Sequence, residues 1–220
     1  MDKQKNKYYY LKGIKNGMPI CLGYLAVSFT LGITARNAGM TAWQAMLTSL
    51  ACNASAGQYA GFTVIAAGGS YFEMILMELV ANARYLLMSC SLSQKFSSET
   101  GLLHRMLVGY DVTDEIFGVA VSEPGKLNPF YNYGMMTVAI PGWSLGTFFG
   151  VIMGNILPAN IVSALSVGLY GMFLAIIIPP ARKSKVIAAL VTISMVSSYI
   201  FSRLPVISNI SSGIRTIILT

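Results

Sequence analysis

Apolar residues run along this chain in blocks the length of a membrane crossing, separated by glycines, prolines and short polar stretches. A bilayer core about 30 Å thick takes ~20 helical residues. On that ruler the blocks fall at 17–35, 42–67, 71–92, 104–121, 132–156, 160–179 and 185–202, with a short eighth run over 205–220. The pattern predicts an all-α polytopic membrane protein with about seven transmembrane helices and a short C-terminal helix, forming one transmembrane domain over 1–220. The eighth run is interrupted by Ser211-Ser212-Gly213 and Arg215, so it suits a tilted or partner-packed helix as well as a span.

Small residues recur at helical spacing within the blocks. Gly142, Gly146, Gly150 and Gly154 repeat every four residues, as do Gly57 and Gly61. Such seams let helix backbones touch, and they also mark places where a helix can break and turn free backbone groups toward a solute. Pro19 and Gly32 echo Pro141 and Gly154 at the same separation of thirteen. A transporter built from repeats would carry such an echo.

Composition agrees with a bilayer environment. Hydrophobic residues make up 55% of the 220 and charged residues 10%, too few to cover a soluble surface of this size. The net charge of +7 does not point to nucleic acid, because the basic residues cluster beside apolar blocks: Lys3, Lys5, Lys7, Lys12 and Lys15 at one end, Arg182, Lys183 and Lys185 near the other. Residues 1–15 read as a basic cytoplasmic tail rather than a cleaved signal. With that tail inside and seven crossings, Lys126 and the 182–185 cluster fall inside, and Arg36, Lys95, Arg105 and Arg203 fall outside. Cys21, Cys52 and Cys90 have no metal-ligand spacing to one another or to His104, which predicts packing residues with no metal, cofactor or disulfide.

The chemistry concentrates in the third and fourth blocks, for every acidic residue except Asp2 lies between Glu73 and Glu123. A charge at the centre of a bilayer costs roughly 2.5–3.5 kcal/mol on insertion scales, so it faces a cavity or a partner. Asp111, Asp114 and Glu115 read as one acidic face of a helix. Carboxylates crowded together in a low dielectric cannot all stay ionised, which suits a proton or cation relay. Glu78 and Asn82 share a face continued by Tyr85 and Ser89. Arg84 points elsewhere, toward an acid of the fourth block, toward Glu78 in a structural ion pair, or toward a substrate carboxylate. Gln58 adds an amide between glycines. Together Gln58, Asn82, Arg84 and Tyr85 can bind a zwitterion, and Asp111, Asp114 and Glu115 can move its coupling proton.

These same residues carry a resemblance. Gly17-Met18-Pro19, Ala56-Gly57-Gln58-Tyr59-Ala60, Asn82-Ala83-Arg84-Tyr85-Leu86-Leu87 and Thr113-Asp114-Glu115-Ile116-Phe117, in this order, resemble the AzlC family, the larger subunit of two-component branched-chain amino-acid exporters. The resemblance runs from about residue 13 to the C-terminus and implies a bacterial inner-membrane protein. It also implies a small hydrophobic AzlD-like partner and export of valine, leucine or isoleucine. Tyr85 stands where a histidine is common in the family, and Cys52-Asn53 is more polar than the usual pair, so the preferred substrate can differ. No Walker sequence supports an ABC permease, and no HExxH or GxSxG supports an enzyme. A channel for another small polar solute or ion is the alternative.

Overall fold

The computed structural model describes residues 3–154 and 184–203, with positions 156, 158, 160–161, 178 and 181–182. Most of the predicted sixth segment, Lys183 and the whole eighth run lie outside the described residues. Those residues form eight α-helices: α1 (Lys3–Asn37), α2 (Ala42–Ala51), α3 (Ser55–Ala66), α4 (Tyr71–Lys95), α5 (Leu102–Gly109), α6 (Asp114–Ser122), α7 (Pro129–Met153) and α8 (Lys185–Arg203). No strand occurs among them.

Three of these helices, α1, α4 and α7, are long and apolar enough to cross a membrane. Of the seven expected crossings, the first, third and fifth are such helices, the sixth lies mostly outside the described residues, and the seventh, α8, has a shorter apolar stretch; the second and fourth are corrected. Each is two half-helices around a polar break, at Cys52-Asn53-Ala54 and at Tyr110-Asp111-Val112-Thr113. At ~1.5 Å per residue, helices of 8 to 12 residues reach about 12–18 Å, half a bilayer. Asn, Asp and Thr side chains compete with the helical backbone and favour caps; the Thr113 hydroxyl accepts from the Ile116 amide at the start of α6.

Both segments turn back at their breaks. The α1–α2 turn is closed by Met40 N donating to Ala35 O, so α2 starts at the C-terminal end of α1. Gly57 and Gly61 of α3 face Asn82 and Glu78 of α4, and a turn at Gly68, whose φ is 64°, joins the two antiparallel helices. The α2–α3 pair thus begins and ends on the side where α1 finishes. On the opposite side, Lys95 at the end of α4 donates to Val121 O and Glu123 O at the end of α6, at 2.5 Å each. Arg105 at the start of α5 donates to Ser93 O and Ser97 O, and Lys12 pairs with Glu123 at 2.6 Å. The α5–α6 pair therefore enters and leaves where α1 begins. This corrects the placing of Lys95 and Arg105 opposite the basic tail, because both gather beside it with Lys126, whose ammonium reaches Gln94 O.

The core is a parallel pair, α1 against α7. A Cβ at Gly13, Gly17 or Gly32 would strike α7 backbone at Tyr131, Met135 or Thr147 and Gly150; one at Gly134, Gly142, Gly146 or Gly150 would strike α1 at Tyr10, Cys21, Leu25 or Phe29. Partners stay in step along the pair (Cys21 at Gly142, Leu25 at Gly146, Phe29 at Gly150), so the helices run in the same direction. Only glycine lets backbones approach so closely. The glycines therefore pack rather than break helices, and no glycine occupies either break. α1 is also longer than its apolar block. Its 35 residues extend ~52 Å, so the expected tail is helical from Lys3 and runs past a 30 Å core.

Candidate functional site

The two breaks meet. Asn53 Nδ2 donates to Asp111 Oδ1, and the Tyr110 hydroxyl donates to Leu50 O. Asp111 is 1% exposed, and its second oxygen has no protein partner among the described residues. Beside this contact lies a cavity of about 10 Å³, room for one water, lined by Tyr24, Asn53, Ser55, Tyr85, Thr113, Asp114, Glu115 and Trp143. Five elements supply the walls: α1, the two breaks with their following half-helices, and the two spans α4 and α7.

Each charge in this wall has its own partner. Asp114 accepts from Arg84 Nη2 at 2.9 Å, and the guanidinium lies 5.1 Å over the Tyr85 ring. Glu115 accepts from the Tyr24 hydroxyl at 2.8 Å, and that hydroxyl lies 2.5 Å from Thr113 Oγ1. Tyr24 itself is held edge-on against Trp143, with ring centroids 5.2 Å apart. Asp111, Asp114 and Glu115 do not form one helical face, because the helix stops before Asp111 and restarts after Thr113. The expected acidic face is thus corrected to three separate acids, each addressed by a different element.

The other predicted residues divide. Gln58 is buried, its amide donating to Ser49 Oγ at 2.5 Å and accepting from Trp143 Nε1 at 2.8 Å. It braces the cavity wall from behind. Asn82 donates to Glu78 Oε2 at 2.7 Å, on the face of α4 that meets Gly57 of α3. The Glu78–Arg84 ion pair is corrected: six residues set the two about 240° apart around α4, so Glu78 turns to Asn82 and Arg84 to Asp114. Of the predicted site residues, Tyr85, Asp114 and Glu115 line the cavity, and Arg84 grips one of those acids. Sequence reading missed Tyr24, Asn53, Ser55, Thr113 and Trp143 as site residues. The usable signal was the placing of Asn53 and Asp111 inside apolar blocks, each followed within two residues by Ser55 or Thr113 as a helix restart.

Comparison with known proteins agrees with this setting. The model of the AzlC protein family matches residues 19–157. The chain is 30% identical over 182 residues, 82% of its length, to an uncharacterized membrane protein of Archaeoglobus fulgidus, covering 80% of that protein. It is 25% identical over 150 residues to the inner membrane protein YgaZ of Escherichia coli, 66% of this chain and 61% of that one. An uncharacterized membrane protein of Helicobacter pylori is 24% identical over 153 residues, 66% of each chain. No solved structure matches the chain. The family match spans α1 from Pro19 through α7, including every residue of the cavity wall, and the chain belongs to the AzlC protein family.

Proposed function

We propose that this chain is the transport subunit of a branched-chain amino-acid exporter, proton-coupled, in the inner membrane, with its N-terminus in the cytoplasm. One observation carries the reading: a small polar cavity sits between two helix breaks that enter from opposite sides, two carboxyl groups of separate partnership, Asp114 and Glu115, line it, and a third, Asp111, lies in the break beside it. Substrate ammonium would compete with Arg84 for Asp114, and the released guanidinium would be free to take the substrate carboxylate. Glu115, held by the Tyr24 hydroxyl, is the group we assign to the proton, with Asp111 as a buried second acceptor. The apolar side chain of valine, leucine or isoleucine would lie against Tyr85 and Trp143.

Orientation follows from charge. Lys3 to Lys15, Lys95, Arg105 and Lys126 all lie on the side where α1 begins, while Arg36 reaches Val151 O on the other, and basic residues favour the cytoplasmic face. A small hydrophobic AzlD-like subunit is the proposed partner. It does not use the Gly142–Gly154 seam, which α1 fills. Labelled valine, leucine and isoleucine in proteoliposomes, with and without the partner and an imposed proton gradient, test the proposal. Uphill efflux driven by the gradient supports an exporter; flux that only ever runs downhill assigns the chain to the channel class.

A further inference from the structure

The two hairpins and the two spans that follow them keep the same spacing. The first half-helix ends at Ala51 in one and Gly109 in the other; the break residues that meet are Asn53 and Asp111; the span caps are Ser70 and Asn128; the spans run Tyr71–Lys95 and Pro129–Met153. Every one of these pairs is 58 positions apart. Both caps accept a backbone amide with their side chains, Ser70 from Glu73 and Asn128 from Phe130. Both spans hold 25 residues, yet α4 runs toward the end where α1 begins and α7 runs away from it.

We infer that residues 42–95 and 100–153 are two copies of one hairpin-and-span unit, inserted upside down relative to each other. The Asn53–Asp111 contact lies on the pseudo-twofold axis that exchanges them. Ser55 and Thr113, and Tyr85 and Trp143, are then equivalent walls of a single binding site with two equivalent exits, one on each side of the membrane. α1 stands outside the repeat, along α7.

The two exits are not in the same condition here. α2 packs closely along α7, with Ser49 Oγ 2.7 Å from Thr147 Oγ1 and Trp43 stacked edge-on against Phe148. The equivalent pair, α5 and α4, does not pack in this way. Inverted repeats that share a site reach their second state by exchanging the two arrangements. In that state α5 closes on α4, and Leu107 meets Ser89 as Ser49 meets Thr147 here. The repeat rests on geometry alone; its use for alternating access rests on the transport reading above.

Paired cysteines test the exchange in a background carrying Cys21→Ala, Cys52→Ala and Cys90→Ala. Ser49→Cys with Thr147→Cys should cross-link under mild oxidation, and so should Ser89→Cys with Leu107→Cys in the remaining molecules. A chain with all four cysteines should form one link or the other, never both. No 89–107 link under any gradient or amino-acid concentration, or both links in one molecule, overturns the inference. Should the cysteine pairs fold poorly, spin labels on exposed positions 43 and 152, and on 94 and 101, give a second measurement. Each pair should show two distances, with short populations of one matched by long populations of the other; single fixed distances overturn it. Exclusive cross-links without amino-acid flux would leave the repeat standing and remove the proposed substrate instead.

Discussion

At the scale of the residue, the charged side chains of the site are each held by a neighbour on another element, so single substitutions leave identifiable orphans. Arg84→Gln strips Asp114 of its cation, and Asp114→Asn strips Arg84. The pair is partly exposed, with side chains 41% and 21% accessible, which places the cost of either change near 1–3 kcal/mol, below that of a fully buried pair. The double variant should recover part of that loss in a detergent melting experiment while transport stays abolished. Arg84→Lys keeps the charge but not the planar fork, and it should weaken amino-acid binding more than it lowers the melting temperature. Tyr24→Phe removes one hydroxyl shared by Thr113 and Glu115. It should cut gradient-driven efflux at least tenfold with unchanged insertion, and normal uphill efflux by Tyr24→Phe would take Glu115 out of the proton path. Gln58→Ala leaves the Trp143 N–H without a partner, at a cost of about 1–3 kcal/mol, and leaves Ser49 only its bond to Thr147. A stability loss with no change in substrate preference would keep Gln58 behind the wall, where its contacts place it.

At the scale of the element, two features decide the architecture: glycine seams and polar breaks. The seam of α7 is already occupied, since a Cβ at Gly146 would meet Leu25 O and Ser28 Oγ of α1. Gly146→Leu should therefore unfold the α1–α7 pair within this chain, seen as loss of monodispersity in detergent even when no second subunit is present. Release of a partner from an otherwise stable chain would contradict that placement. Of the two restarts, only that of α6 carries a side-chain cap, since Ala54 precedes α3. Thr113→Ala removes the hydroxyl that satisfies the α6 start and should lower stability by about 1 kcal/mol. Much of this scale was legible beforehand: the apolar blocks gave α4 and α7 nearly as they stand and the C-terminal part of α1, and the four-residue glycine spacing marked a packing face. The breaks were not legible, because Cys-Asn-Ala and Tyr-Asp-Val-Thr are short enough to sit inside a continuous apolar block, where hydropathy averages over them.

At the scale of the whole molecule, the hairpins change which loops share a side. The turn at 67–70 belongs with the α1–α2 turn at 38–41, and the turns at 96–101 and 123–128 belong with the basic start of α1. Impermeant thiol reagents applied to single cysteines should modify positions 39 and 68 from one face of the membrane, and 99 and 125 from the other. Positions 68 and 99 are the ends of α4 and must differ. Labelling of 39 and 68 from opposite faces would restore a full crossing to the second segment. The basic residues argue for the hairpins independently: seven crossings scatter Lys95 and Arg105 away from the other lysines, whereas three crossings through α7 collect them on one side.

The sequence by itself determined that the chain lives in a bilayer, where α4 and α7 lie along it, that its acids concentrate between Glu73 and Glu123, and that its motifs are those of the AzlC family. Each of these follows from local composition and spacing, which a bilayer reads residue by residue. Tertiary structure alone decided that Asn53 faces Asp111, that Tyr24 holds Glu115, that Arg84 reaches Asp114 rather than Glu78, and that α1 fills the glycine seam of α7. The physical reason is common to all four. A half-helix of eight to twelve residues can continue across the bilayer or turn back, and its local sequence is compatible with both. The choice is made by contacts between residues 30 to 124 positions apart, where buried polar groups must find partners and backbones must find glycines.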